Sequence, residues 1–221
     1  MVSVGGSLIV PDGVDTDFLT RFHALVLDKV AQGFSFCIIS GGGKTARRYQ
    51  DAAHAVTPLS RHDLDWIGIH ATRLNAQLLR NIFVTHAHPH VIKNPTVDIN
   101  ADEPIIIAAG WKPGCSTDYD AVLMAKNLGA TRLVNLSNID YVYTTDPKKN
   151  PNAKKIEKIS WAEFRKLIPA EWDPGLSSPF DPVAAKEAES LGLEVAIING
   201  TKLQEFTNYL ENKPFVGTVI S

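Results

Sequence analysis

The chain has 221 residues, 44% of them hydrophobic and 21% charged, and carries a formal net charge of -2. That length accommodates one large domain or two closely joined lobes with a full core. The near-neutral balance excludes bulk attraction to nucleic acid or to an anionic membrane surface, so an anionic ligand has to be gripped locally.

No apolar run nears the roughly 18 residues of a spanning helix. With no charged-then-apolar leader at its start, the chain is expected in the cytoplasm. Cys37 and Cys115 lack metal-ligand spacing, and Cys37, inside an apolar run, reads as a small core residue.

In chain order, residues 1–4 form a short strand that runs into Gly5-Gly6-Ser7. Residues 15–31 place Phe18, Leu19, Phe22, Leu25, Val26 and Val30 at helical spacing. Residues 34–39 are a compact apolar run, the mark of a buried parallel strand. It ends in Ser40-Gly41-Gly42-Gly43-Lys44-Thr45-Ala46-Arg47-Arg48, where the next helix begins. A longer helix covers residues 60–81, with Asp63 and Asp65 each fitting its first turn. Strands are expected at Val91-Ile92 and over residues 104–108, a helix over 117–128 and a strand over 132–136. Tyr141 to Tyr143 and Ile156 to Ile159 predict a small hairpin or flap. Ser160 and Glu163 have capping-box spacing. An irregular loop follows over residues 169–179. Asp181 then caps a helix with Pro182 at its first position. A strand at 194–198, a helix at 202–210 and a strand at 215–220 close the chain.

Strand and helix alternate throughout, which predicts an α/β fold with a mainly parallel central sheet covered on both faces. One domain is expected, with a lobe to about residue 128 and a second lobe after it sharing a continuous sheet. Ligands in such sheets sit beyond the carboxyl ends of the strands, and three glycine-bearing turns fall there. In the first, Gly5-Gly6-Ser7, the missing side chains let backbone amides approach phosphate oxygens, and Ser7 adds a hydroxyl. The second, Gly41-Gly42-Gly43, sets free amides and a helix end on an anion, with Lys44 and Arg47 projecting from one helical turn. It matches neither the Walker A spacing nor the dinucleotide fingerprint. In the third, Gly114 precedes Ser116-Thr117-Asp118 at a helix start, where Ser116 reads as an N-cap. Asp118 would repel phosphate unless it orients a lysine or holds magnesium through water. Asp120 reads as a surface charge, as do Arg48 and the Lys148-Lys149 pair. His86, His88 and His90 alternate as metal ligands on a strand would, but with no partnering Cys or carboxylate pattern they read as an ordinary loop.

Together these segments resemble the amino acid kinase superfamily, and within it the archaeal-type uridylate (UMP) kinases. The matching pieces are Gly5-Gly6-Ser7, the Gly41 to Arg47 turn, Asp65-Trp66-Ile67-Gly68-Ile69, Ser116-Thr117-Asp118, the run from Asn138 to Pro147, Asp181-Pro182-Val183-Ala184-Ala185-Lys186 and the closing Gly217-Thr218-Val219-Ile220. The resemblance implies a three-layer α/β/α sandwich and ATP-dependent, magnesium-assisted transfer of a phosphoryl group to UMP. It places Gly6 and Ser7 at the transferring phosphates, Gly42, Gly43 and Arg47 at the acceptor phosphate, Asp65 at the UMP ribose and Thr117 near the acceptor nucleotide. Asn138, Tyr143 and Asp146 fall at the ATP adenine and ribose, while Lys44 and Asp118 organise the reacting centre. A hexamer is implied as well. Ser3 stands where many members carry a lysine, for which Lys44 is the natural substitute. The Tyr119-Asp120 pair and the stretch over residues 89–104 depart from the family pattern. Two other readings fit parts of the pattern: another kinase of the superfamily, such as one acting on isopentenyl phosphate, and a non-catalytic nucleotide- or anion-binding relative.

Overall fold

A computed structural model of the chain describes residues 1–169 and 178–221. Most of the loop expected over residues 169–179 lies outside the described residues. The first half runs β1 (Val2–Val4), α1 (Gly6–Ile9), α2 (Thr16–Ala31), β2 (Phe36–Ser40), α3 (Gly43–Val56), α4 (Arg61–Ile82) and β3 (Ile105–Ala108). The second half runs α5 (Thr117–Asn127), β4 (Arg132–Ser137), β5 (Val142–Tyr143), β6 (Lys155–Ile156), β7 (Lys158–Ile159), α6 (Trp161–Leu167), α7 (Pro182–Ser190), β8 (Glu194–Asn199), α8 (Leu203–Leu210) and β9 (Thr218–Ile220).

Seven strands form one sheet in the order β3-β2-β1-β4-β8-β9-β7, and every neighbouring pair is parallel except β8 with β9. The strands are nearly all apolar because both faces are buried, and successive side chains leave the sheet on opposite sides. Phe36, Ile38, Ile105, Ile107, Val134, Leu136, Ala196 and Ile198 face one core, where Phe18, Phe22, Leu79, Phe83 and Phe206 cover them from the helices. Cys37, Ile39, Ile106, Leu133, Val195 and Ile197 face the other, under Val122, Met124, Trp161, Phe164, Ala184 and Ala188. The result is the expected α/β/α sandwich.

Local signals set the helix starts. Asp15 accepts the Phe18 N–H, Ser60 and Asp63 form a reciprocal capping box, Ser116 accepts from Tyr119, and Asp181 accepts from Ala184 with Pro182 in the first turn. Two expectations are corrected. Val91-Ile92 is not a strand; Ile92 makes one isolated bridge to Ala108, since the prolines at 89 and 95 bring no donor to a sheet edge. The predicted flap splits: β5 pairs with β6 as a two-residue hairpin, whereas β7 leaves it to join the central sheet beside β9.

Strand register places the site. Val4 lies opposite Ser40 on one side and Leu136 on the other, and Ile39 lies opposite Ala108. The segments that leave these strands (Gly5-Gly6-Ser7, Gly41-Gly42-Gly43, Ser137-Asn138 and Ala109-Gly110) therefore emerge side by side along one carboxyl edge.

Candidate active site

Two glycine turns meet at the centre of that edge with main chain against main chain. A Cβ on Gly6 would fall 2.1 Å from the Gly43 nitrogen, and Gly43 holds a φ of +63°. Only glycine fits both requirements. Asn75 is 3% exposed on α4 and donates from Nδ2 to the Gly41 carbonyl at 2.8 Å and the Gly42 carbonyl at 3.3 Å, fixing the second turn from below.

On one side of this seam lies a cavity of about 290 Å³. Gly42, Gly43, Arg47, Asp65 and Thr117 all line it, together with Gln50, Thr72 and Cys115. On the other side is a cavity of about 520 Å³ whose lining includes Asn138, Tyr143 and Asp146. The residues expected at the acceptor are thus gathered in one cavity and those expected at the ATP nucleoside in the other. Gly6 and Ser7 line neither and stand on the turn between them. Lys148 and Lys149, expected to be solvated, are exposed and also line the larger cavity.

Three neighbouring cations on α3 are placed differently. Arg48 binds Asp12 at 2.6 Å, and the Lys44 Nζ lies 3.5 Å from the same carboxylate. Lys44 does not line the smaller cavity. Arg47 is exposed, points along the cavity wall and has no ion-pair partner among the described residues.

Asp118 adjoins Thr117, which lines the smaller cavity, and its carboxyl is buried. Asn135 of β4 donates to its Oδ1 at 3.3 Å, and the Asp181 N–H donates to its Oδ2 at 3.2 Å. Burial pushes the Asp118 carboxyl up to about 7; the Asp181 carboxylate beside it works in the same direction, and the Asp181 N–H partly offsets both. Burial also raises Asp181, against the amides and Ser116 that bind it. Two carboxyl groups are thus held close together near the carboxyl edge of the sheet, with no cationic side chain bonded to either among the described residues, an arrangement that favours the arrival of positive charge.

Asp120 overturns the sequence expectation. It is 1% exposed, not a surface charge. Its Oδ2 accepts the Trp111 N–H at 3.0 Å, and burial pushes its carboxyl up to about 7. His86 Nδ1 pairs with Thr85 and His88 Nδ1 with Glu103 at 3.1 Å, while the His88 and His90 rings meet edge to face with centroids 5.9 Å apart. Among the described residues no group of three His, Cys, Asp or Glu side chains is placed to hold a metal.

Sequence reasoning missed Thr72, Asn75, Asn135 and the carboxylate of Asp181. A signal existed for two of them: Thr72 and Asn75 are polar residues in the buried stripe of α4 formed by Ile69, Ala76 and Leu79. Polar groups on such a stripe are there to be bonded.

Residues 1–199 match the family model described as the amino acid kinase family. A uridylate kinase of Thermococcus sibiricus is 37% identical over 198 residues, covering 88% of this chain and 87% of that protein. One from Thermococcus onnurineus is 34% identical over 220 residues, covering 98% and 96%. Among solved structures, the uridylate kinase of Archaeoglobus fulgidus superposes with a TM-score of 0.82 at 28% identity, covering 100% of this chain and 99% of that one.

Proposed function

The chain belongs to the amino acid kinase family, and we propose that within it this enzyme transfers the γ-phosphoryl group of ATP to UMP, giving UDP and ADP. The observation that carries the reading is the pair of cavities opening on either side of one glycine seam, with Asp118 beside Thr117 of the smaller cavity and bonded to Asn135 of β4. The close relation to uridylate kinases over nearly the whole chain supports UMP as the acceptor and disfavours isopentenyl phosphate.

The chemistry asks little of the protein beyond placement. An oxygen of the UMP phosphate, already anionic near neutral pH, attacks the γ-phosphorus in line, and the bond to the ADP oxygen breaks. No strong general base is required. Gly42, Gly43 and Arg47 hold the acceptor phosphate, Asp65 the ribose, and Thr117 the acceptor side of the seam. The Gly6 amide and the Ser7 hydroxyl take the transferring phosphates, and Asn138, Tyr143 and Asp146 the adenosine. Asp118 orients the reacting centre. The Lys44–Asp12 pair is exposed and worth little, so Lys44 exchanges it for phosphate at small cost.

Magnesium enters with ATP on this reading. Asp118 and Asp181 are hard oxygen donors of the right chemistry, and without a cage of three among the described residues they suit an ion carried by phosphates rather than one held by protein alone. Such an ion would spread the negative charge of the triphosphate.

The division into an acceptor lobe to about residue 128 and an ATP lobe after it follows the two cavities. We also infer a homo-oligomer, a hexamer by resemblance, supported by exposed Tyr49, Val56, Trp66 and Leu74 on α3 and α4; a monomer by light scattering would refute it. The reaction is assigned to the cytoplasm with its nucleotides. Among the described residues no helix is long and apolar enough to cross a membrane. A screen of UMP, CMP, isopentenyl phosphate and acetylglutamate with ATP and magnesium, read by ADP release, tests the assignment. UMP is expected to give the highest kcat/KM; turnover of isopentenyl phosphate or acetylglutamate without turnover of UMP overturns it.

A further inference from the structure

Asp120 takes no part in the transfer just described, yet it is buried in the first turn of α5 with an unfilled oxygen. Its Oδ2 accepts the Trp111 N–H, whereas Oδ1 has no hydrogen-bond partner among the described residues. A buried carboxylate left half satisfied costs stability, so its presence calls for a reason.

The reason lies in the loop it holds. From α4, the Arg73 guanidinium donates to the Gly110 carbonyl at 3.3 Å and to the Trp111 carbonyl at 2.9 Å. Thr72 Oγ1 accepts the Gly110 N–H at 2.8 Å. Residues 110 and 111 are thereby gripped by α4 through their carbonyls and by α5 through an N–H. Three residues further, the Gly114 N–H donates to Asp65 Oδ2 at 3.0 Å, and Asp65 and Cys115 both line the smaller cavity. The charged side chains facing Asp120 are Arg73 from α4 and Lys112 from the loop itself, and these two cations offset its buried charge.

We propose that Asp120 and Arg73 are positioning residues for phosphoryl transfer. They clamp Gly110-Trp111 from two helices and so hold Gly114 against Asp65 and Cys115 in the wall of the acceptor site. The proposal rests on reading that cavity as the acceptor site. A loop fixed in advance spares the acceptor the ordering that binding would otherwise demand. Its release weakens UMP and leaves ATP alone, because the larger cavity is lined by other segments, from Ser137 to Lys149 and at Leu167, Ile168, Ser178 and Pro179.

The test compares Asp120→Ala, Asp120→Asn and Arg73→Ala. The Asn side chain keeps an oxygen able to accept the Trp111 N–H. The readouts are KM for UMP and for ATP, and the rate at which Cys115 is alkylated in nucleotide-free protein; Cys37, being buried, serves as the slow internal reference. Asp120→Ala and Arg73→Ala are expected to raise KM for UMP about tenfold, the scale of one lost hydrogen bond to a charged group. KM for ATP stays within about twofold, Cys115 labelling accelerates severalfold, and Asp120→Asn restores KM for UMP towards the parent value, though not the labelling rate, since it also removes the charge that raises the Cys115 thiol. Should Asp120→Ala fail to fold, Arg73→Ala carries the test from the more exposed half of the clamp. The proposal is overturned if the two KM values rise together, or if Arg73→Ala changes neither KM for UMP nor Cys115 labelling. If the parent protein does not phosphorylate UMP, the acceptor reading fails on its own. Labelling then decides the clamp: faster in both loop-releasing variants supports it, unchanged in both refutes it.

Discussion

Replacing Arg47 with alanine removes the one cation of its α3 trio that has no ion-pair partner among the described residues and lines the smaller cavity, the proposed acceptor site. Hydrogen bonds to a charged group contribute about 1.5–3 kcal/mol, which converts to a rise in KM for UMP of about ten- to a hundredfold. Exposed and unpaired, Arg47 contributes little to folding, so the variant keeps its melting temperature to within the small shift of an ordinary surface substitution, about 0.5 kcal/mol. Initial rates by coupled ADP release, with each nucleotide varied at saturating concentrations of the other, separate the two sites. KM for ATP should hold within about twofold, because its cavity lies across the glycine seam. Equal weakening of both nucleotides, or a change in KM for UMP below about threefold, would remove Arg47 from the acceptor phosphate.

Asp118→Asn should lower kcat by about a hundredfold, the scale of one misplaced group at a transferring phosphate, while nucleotide binding by calorimetry stays near the parent value. Unchanged turnover takes Asp118 out of the reacting centre. The same substitution has a second readout in stability against pH. The folded pKa values of Asp118 and Asp120 lie near 7, above the ordinary 3.8, so the folded chain binds more protons than the unfolded one between those limits. Their burial penalty is therefore complete above pH 7 and is relieved as pH falls through it, by up to about 1.4 kcal/mol per pH unit for each group. Urea midpoints of nucleotide-free protein should rise from pH 8 to about pH 5, and Asp118→Asn should flatten that slope. An identical slope in the two proteins would mean that Asp118 is not a strained carboxylate.

Much of this architecture was legible because local chemistry and tertiary placement agree in it. Apolar runs that end in glycine became strands whose turns line up at one edge, and Ser116, Ser160 and Asp181 start helices where their side chains predicted. The misreadings share a cause: each depends on what lies across the fold. Asp120 reads as surface because it lies two residues further round the helix from Asp118, yet it precedes the buried pair Ala121-Val122 and accepts the Trp111 N–H. Nothing along the chain says that Asp118 meets the Asp181 N–H, 63 positions away. Lys44 and Arg47 look equivalent one helical turn apart, and only the position of Asp12 divides them. The β7 strand leaves its hairpin because the β9 edge is free to accept it, a competition between partners that a sequence pattern does not rank.

The abutment of Gly6 with Gly43 has a mechanical consequence. With no side chain interposed, the first two turns form a single stiff piece, and the gap a phosphoryl group must cross is set by peptide geometry. A shift of either turn carries the other with it. With the Gly110 loop clamped on one flank, freedom to admit and release a nucleotide is left to the opposite wall, the β5–β6 hairpin. The middle serves as the fixed ruler against which that wall would move.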